Sequence, residues 1–210
     1  MDKTALITFG TAMFAILNPI GGVAIFASMV SDRSAEQRRS IAIRSSVAIA
    51  LILVGSVWGG EFVLGLFDIS IPSLQTAGGV MIAAIAMSML NSSQSAIHDT
   101  KTDGEAETVK PDIAVVPLAM PMVAGPGAIV TVIVNSHQYQ GVKSNLEMSM
   151  VCVAMAVLIC VCFVASGLIT RLLGVRGLEI LTKFMGMLLL AIAFGMLGAG
   201  VKGLLPGLAG

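Results

Sequence analysis

Six stretches of this chain, at 5–30, 45–66, 74–91, 113–136, 148–169 and 180–201, are apolar over about twenty residues, the length a helix needs to cross the hydrocarbon core of a bilayer. Lipid offers the backbone no hydrogen-bond partners, so stretches of this length must stay helical inside it. Composition fits: of 210 residues 56% are hydrophobic and 11% charged, with a mean hydropathy of +0.95. A soluble domain is nearer one quarter charged and could not hide so much apolar surface. The chain therefore reads as an all-α integral membrane protein, one domain over 1–210, whose first partner is the bilayer and which has no nucleic-acid partner. The first apolar stretch follows Asp2-Lys3 and ends in no small-residue cleavage site, so no cleavable signal is expected. Cys152, Cys160 and Cys162 share one apolar stretch, a placement with neither a disulfide framework nor metal-ligand spacing.

The connections orient these spans. Counting alternate loops, one side collects Arg33, Arg38, Arg39, Arg44, Lys101, Lys110, Arg171, Arg176 and Lys183, and the other only Lys3, Lys143 and Lys202. Basic residues stay cytoplasmic, so both termini face outward. The third loop, 92–112, also carries Asp99, Asp103, Glu105, Glu107 and Asp112. Acidic residues count little in that rule, and the segment reads as a flexible cytoplasmic linker between two halves.

Two helix-breaking clusters stand near the middle of corresponding spans: Asn18-Pro19-Ile20-Gly21-Gly22 in the first and Gly125-Pro126-Gly127 in the fourth. Proline removes a donor and clashes with the preceding turn. Residue 18 is pushed out of the helical region as well. Gly21 and Gly22 permit further unwinding. Such backbone is tolerated at membrane depth only where protein or a watery cavity surrounds it. Unwound carbonyls suit a cation, and the N-terminus of the following half-helix suits an anion, so a zwitterion could use both. Asn18 adds an amide that donates and accepts. The bland alternative is a pair of structural kinks with small-residue packing.

The clusters are related. At an offset of 107, which carries Pro19 onto Pro126, Ala12-Met13 meets Ala119-Met120 and Val23 meets Val130. Leu51 meets Leu158, Gly60 meets Gly167, Leu74 meets Leu181 and Gly79 meets Gly186. Ala84-Ile85-Ala86 meets Ala191-Ile192-Ala193, and Met89-Leu90 meets Met196-Leu197. A repeat of three crossings, 1–91 and then 113–210, enters the membrane from opposite sides. The expected fold is six helices as two inverted three-helix repeats, with the first and fourth broken near the midplane, as in many secondary transporters.

Other polar residues carry less. Glu61, after Trp58-Gly59-Gly60, is the carboxylate nearest membrane depth and a candidate for ion coupling, although Trp58 also fits an interfacial belt. Glu179 and Lys183 form an i, i+4 pair. His98 and His137 read as lone loop histidines without partners. Ala77-Gly78-Gly79 and Gly186 read as points of close helix approach. No phosphate loop, nucleophile elbow or zinc motif is present, so enzyme chemistry, a metal and a cofactor are not expected.

Ala15-Ile16-Leu17-Asn18-Pro19-Ile20-Gly21, Ile69-Ser70-Ile71-Pro72 with Ala77-Gly78-Gly79, Val116-Pro117-Leu118-Ala119-Met120-Pro121 with Ala124-Gly125-Pro126-Gly127, and Met185-Gly186 together resemble the MarC family of bacterial and archaeal inner-membrane proteins. The resemblance covers nearly the whole chain. It implies membership of the lysine-exporter superfamily, six crossings, an inner-membrane location and kinship with an archaeal transporter of small neutral amino acids. Gln75 and Lys183 stand where family members often carry Arg. The expectation is thus a carrier of a small neutral solute of glycine or alanine type, coupled to protons or sodium. Its site residues are Asn18, Pro19, Gly21, Gly22, Gly125, Pro126 and Gly127. The alternative is a membrane scaffold without flux.

Overall fold

A computed structural model describes residues 1–91, 124–205 and 207. Among them the regular structure is helical: α1 Lys3–Leu17, α2 Pro19–Met29, α3 Ala35–Leu66, α4 Ile71–Asn91, α5 Pro126–Gln138, α6 Val142–Val164 and α7 Ser166–Leu204. Five stretches are long and apolar enough to cross a membrane: Lys3–Met29, Ala35–Leu66, Ile71–Asn91, Val142–Val164 and Arg176–Leu204. The chain is an integral, multi-pass membrane protein. The linker at 92–112, with His98, and the first part of the fourth stretch, 113–123, lie outside the described residues.

Several expected loops are helical. The 31–44 connection shrinks to a turn because Ser34 opens α3 with a capping box: its Oγ accepts from the Gln37 amide at 3.3 Å, and Gln37 Oε1 accepts from the Ser34 amide at 3.1 Å. Arg38 then folds back, donating to the carbonyls of Arg33 at 2.9 Å and Ser31 at 2.7 Å. The 170–179 connection is likewise helical, apart from a kink at Gly174 with φ 62°. Hydropathy marks where a chain becomes apolar, whereas caps mark where the helix starts.

The helices place the charged residues at two ends. Glu147 bonds the Met1 amino nitrogen at 2.7 Å, and Trp58 Nε1 donates to Ser149 Oγ at 3.1 Å. Gly203 lies against Pro72. The start of α1, the α3–α4 and α5–α6 turns and the end of α7 thus share one end, with Lys3, Lys143 and Lys202. The α2–α3 turn and the α6–α7 junction form the opposite end, with Arg33, Arg38, Arg39, Arg171 and Arg176.

Two cores hold the bundle. The larger includes Phe9, Met13, Leu17, Ile49, Leu53 and Met148, and in it Phe26 of α2 stacks on Phe163 of α6 with ring centroids 4.5 Å apart. The smaller lies between α4 and α7 and consists of Ile82, Ala86, Leu189 and Ala193. Outside, large apolar side chains are presented rather than hidden: Phe62 is 75% exposed, Met150 72% and Leu51 69%. That surface suits acyl chains.

Candidate solute site at the helix breaks

The first break is one residue long. Asn18 takes left-handed backbone, φ 44° and ψ 63°, a conformation that asparagine tolerates better than other side chains because it bonds locally. It closes α1 by donating its amide to the Phe14 carbonyl at 3.1 Å, and it opens α2 when its Oδ1 accepts from the Gly21 amide at 3.1 Å. Pro19 follows as the first residue of α2, where its missing N–H costs nothing. The expected further unwinding at Gly21 and Gly22 does not occur. Both are helical, since the Asn18 side chain caps the new helix at once and the Gly22 amide reaches the Asn18 carbonyl at 3.0 Å. Gly21 leaves room for this cap, because a Cβ there would collide with the Asn18 amide.

A one-residue break still opens the ladder. Among the described residues, no backbone hydrogen bond runs from residues 19–21 to the carbonyls of Ala15, Ile16 and Leu17. Acceptors and the positive end of α2 therefore face one another across Asn18.

Of the second cluster the structure describes the start of α5, and the segment before it, 113–123, lies outside the described residues. Gly125 is extended and offers no side-chain cap, Pro126 is the first helical residue, and the amides of Ala128 and Ile129 turn back to the Gly125 carbonyl at 3.0 and 3.2 Å. Gly125 and Gly127 are buried and Pro126 is exposed. Gly127 is helical and lets α5 approach α4, since a Cβ there would lie 2.5 Å from Ile82 Cγ1. Thr131, one turn on, donates its hydroxyl to the Gly127 carbonyl at 2.8 Å.

Asn18 and Gly127, one from each cluster, both lean on one face of α4. Asn18 Nδ2 points at Met89 Sδ, 3.6 Å away, while Gly127 rests on Ile82. Ile82, Ala86 and Met89 follow at i, i+4 and i+7, so the two contacts lie about 10 Å apart along α4. On α7 the offset of 107 reproduces this face as Leu189, Ala193 and Met196. Met196 Sδ in turn lies 3.8 Å from the Thr131 hydroxyl. Neither methionine nor Thr131 stood out in the sequence as a site residue, although the repeat had already paired Met89 with Met196.

The α4–α7 packing is reciprocal under the same offset. A Cβ on Gly79 would lie 2.8 Å from Leu197 Cγ and 3.0 Å from the Ala193 carbonyl. A Cβ on Gly186 would lie 3.3 Å from Leu90 Cγ and 3.3 Å from the Ala86 carbonyl. Gly79 and Gly186, Ala86 and Ala193, and Leu90 and Leu197 are each 107 apart. Each contact thus has its counterpart under the offset: i touches j, and the equivalent of j touches the equivalent of i.

Glu61 is at the end of the bundle. His137 is not alone: it closes the last turn of α5, and its Nδ1 lies 2.8 Å from Glu61 Oε1, with Gln140 Nε2 at 3.5 Å. Period and hydropathy could not reveal this pair, because it joins residues 76 apart through tertiary packing. Both side chains are about half exposed, 44% and 56%, which limits their mutual stabilisation to about 1 kcal/mol or less. His137→Ala is accordingly expected to shift the thermal midpoint by no more than roughly 4 °C, as read by tryptophan fluorescence of purified protein. Among the described residues no group of three His, Cys, Asp or Glu side chains comes together.

Comparison with known proteins places this architecture. Residues 3–205 match the family described as MarC family integral membrane protein. The UPF0056 membrane protein YhcE of Escherichia coli (strain K12) is 36% identical over 208 residues, 99% of this chain and 96% of its own. YvbG of Bacillus subtilis (strain 168) is 35% identical over 196 residues, 93% of each chain. A UPF0056 membrane protein of Pyrococcus horikoshii is 32% identical over 201 residues, 96% of each. No solved structure matches.

Proposed function

The chain belongs to the MarC family of integral membrane proteins, and from that premise we propose that it is a secondary carrier of a small, neutral, zwitterionic solute such as glycine or alanine. The observation that carries this reading is the approach of Asn18 and Gly127, one from each helix-breaking cluster, to one face of α4. A break at membrane depth is costly unless it serves a cavity or ligand. Two of them, related by an offset of 107 and sharing one wall, give a site that two half-molecules can rock around. Among the described residues the site contains no ionised side chain. A net-neutral cargo fits, its carboxylate directed to the N-terminus of α2 and its ammonium to the carbonyls that Pro19 leaves unbonded.

The full architecture in this reading has a sixth span completed by 113–123 and two inverted repeats. The reciprocal approach of Gly79 and Gly186 supports that symmetry. The arginine-rich end is cytoplasmic and the protein sits in the inner membrane, with both termini outside.

Flux of labelled glycine, alanine and serine into proteoliposomes tests the proposal. Saturable uptake is expected, and its response to imposed pH and sodium gradients identifies the coupling ion. Absence of saturable uptake of all three, with and without gradients, would instead favour a scaffold. Orientation is tested separately in a background free of native cysteines. Lys143→Cys is expected to label from outside intact cells and Arg38→Cys only after permeabilisation; the reverse pattern overturns the orientation.

A further inference from the structure

Asn18 holds a donor in poor company. Its Oδ1 is committed to the Gly21 amide at 3.1 Å, a bond that fixes which way the side-chain amide faces. Among the described residues its Nδ2 then has one partner, Met89 Sδ at 3.6 Å. A thioether is a weak acceptor, whereas a buried amide N–H bonded to an oxygen is much better satisfied. Asn18 is partly buried, at the N-terminus of α2, beside carbonyls that the proline leaves without amide partners. Met196, the residue equivalent to Met89, lies near Thr131 rather than near the equivalent of Asn18, and there the donor is already satisfied: the hydroxyl proton goes to the Gly127 carbonyl at 2.8 Å, with the sulfur at 3.8 Å.

Resting on the carrier reading above, we infer that Met89 is a specificity-determining placeholder: its sulfur occupies, in the empty carrier, the place of an oxygen acceptor that the solute brings to Asn18 Nδ2. A solute with a carboxylate exchanges a weak S···H–N contact for a charge-assisted one. A solute of the same size without an oxygen acceptor gains nothing from the exchange. The site therefore selects carboxylate-bearing neutral solutes through a donor left half-satisfied until the solute arrives. Met89 acts through Asn18, so it is a positioning residue, and its influence falls on solute affinity rather than on the rate of the conformational cycle.

Glycine uptake by proteoliposomes carrying wild type, Met89→Leu and Met89→Gln tests this. Leucine keeps the volume but removes the acceptor, so the empty state loses its only answer to the amide and KM is expected to fall. Glutamine places an oxygen acceptor beside Asn18 in the empty state, so the solute must displace it and KM is expected to rise. Each shift should be about fivefold or more, since an unmet buried donor is worth at least that in affinity, while Vmax stays within about twofold. Met196→Leu should shift KM less than Met89→Leu, because Thr131 does not depend on sulfur. Methylammonium, which has no oxygen, should compete poorly with glycine in all four proteins. Leucine and glutamine variants that move KM in the same direction, or by less than twofold, overturn the inference, as does methylammonium competing as well as unlabelled glycine. If wild type takes up no glycine, alanine or serine, the carrier reading fails first and this inference fails with it. Monodisperse elution of every variant shows that the comparison is among folded proteins.

Discussion

Gly79→Leu and Gly186→Leu are each expected to lower the thermal midpoint of the purified protein by roughly 2–12 °C, and by similar amounts. At Gly79 a new Cβ meets backbone, 2.9 Å from the Leu197 nitrogen and 3.0 Å from the Ala193 oxygen. Backbone cannot rotate aside as a side-chain tip can, so α4 and α7 must separate. Overpacking of this kind costs about 1–3 kcal/mol, and each kcal/mol is worth about 2–4 °C for a chain of this length. Within a membrane the loss falls on close packing, which there replaces the hydrophobic effect as the force joining helices. The similarity of the two effects is the stronger part of the prediction, since the glycines are equivalent positions in a reciprocal contact. Gly186 has slightly more room, with its closest neighbour, Met89 Cβ, at 3.2 Å, so its variant should be the milder. Gly195 and Gly198 have nothing within 4 Å of the Cβ position, and leucine at either should shift the midpoint by less than roughly 2 °C. Thermal melts followed by size-exclusion recovery decide the matter. A large loss at Gly79 with none at Gly186 would end the two-fold description of this interface.

Asn18→Gly and Asn18→Ala are expected to separate what this residue does for the fold from what it does for transport. Alanine loses the cap on α2 and must hold a left-handed backbone that disfavours a Cβ, together about 2–4 kcal/mol. Glycine adopts that backbone freely, and replacing a capping asparagine with it costs only a few tenths of a kcal/mol. The glycine variant should therefore melt close to wild type, while the alanine variant is clearly destabilised. Flux should suffer in both. Without the side-chain amide the solute loses one hydrogen bond, a drop of roughly 5- to 150-fold in Vmax/KM for glycine uptake. A glycine variant that transports at the wild-type rate would leave Asn18 as a helix cap alone.

Much of this was readable along the chain. Proline at 19 marks the interruption of the first span, and proline at 126 the start of α5, because a missing N–H and a ring clash act on the nearest turn whatever surrounds them. The extent of the interruption was not readable. Gly21 and Gly22 suggested a longer unwound stretch, but the Asn18 side chain restores the helix within one residue. Loop boundaries were also misjudged where a capping box at Ser34 begins α3 among charged residues. His137 found a partner in Glu61 only once α5 packed beside α3.

The sequence by itself determined that the chain spans a membrane, which end gathers its arginines, where the first helix breaks and that α4 and α7 carry matching residues. Each of these follows from the solvation of local apolar length or from the covalent geometry of one residue. Only the tertiary structure decided that Met89 stands in front of Asn18, that Asn18 and Gly127 lean on one face of α4, and that Gly79 and Gly186 exchange equivalent contacts. Those are distances between residues far apart in the chain. They depend on how helices of nearly uniform apolar surface choose their faces, and in lipid that choice is made by shape and by the few polar atoms that must find one another.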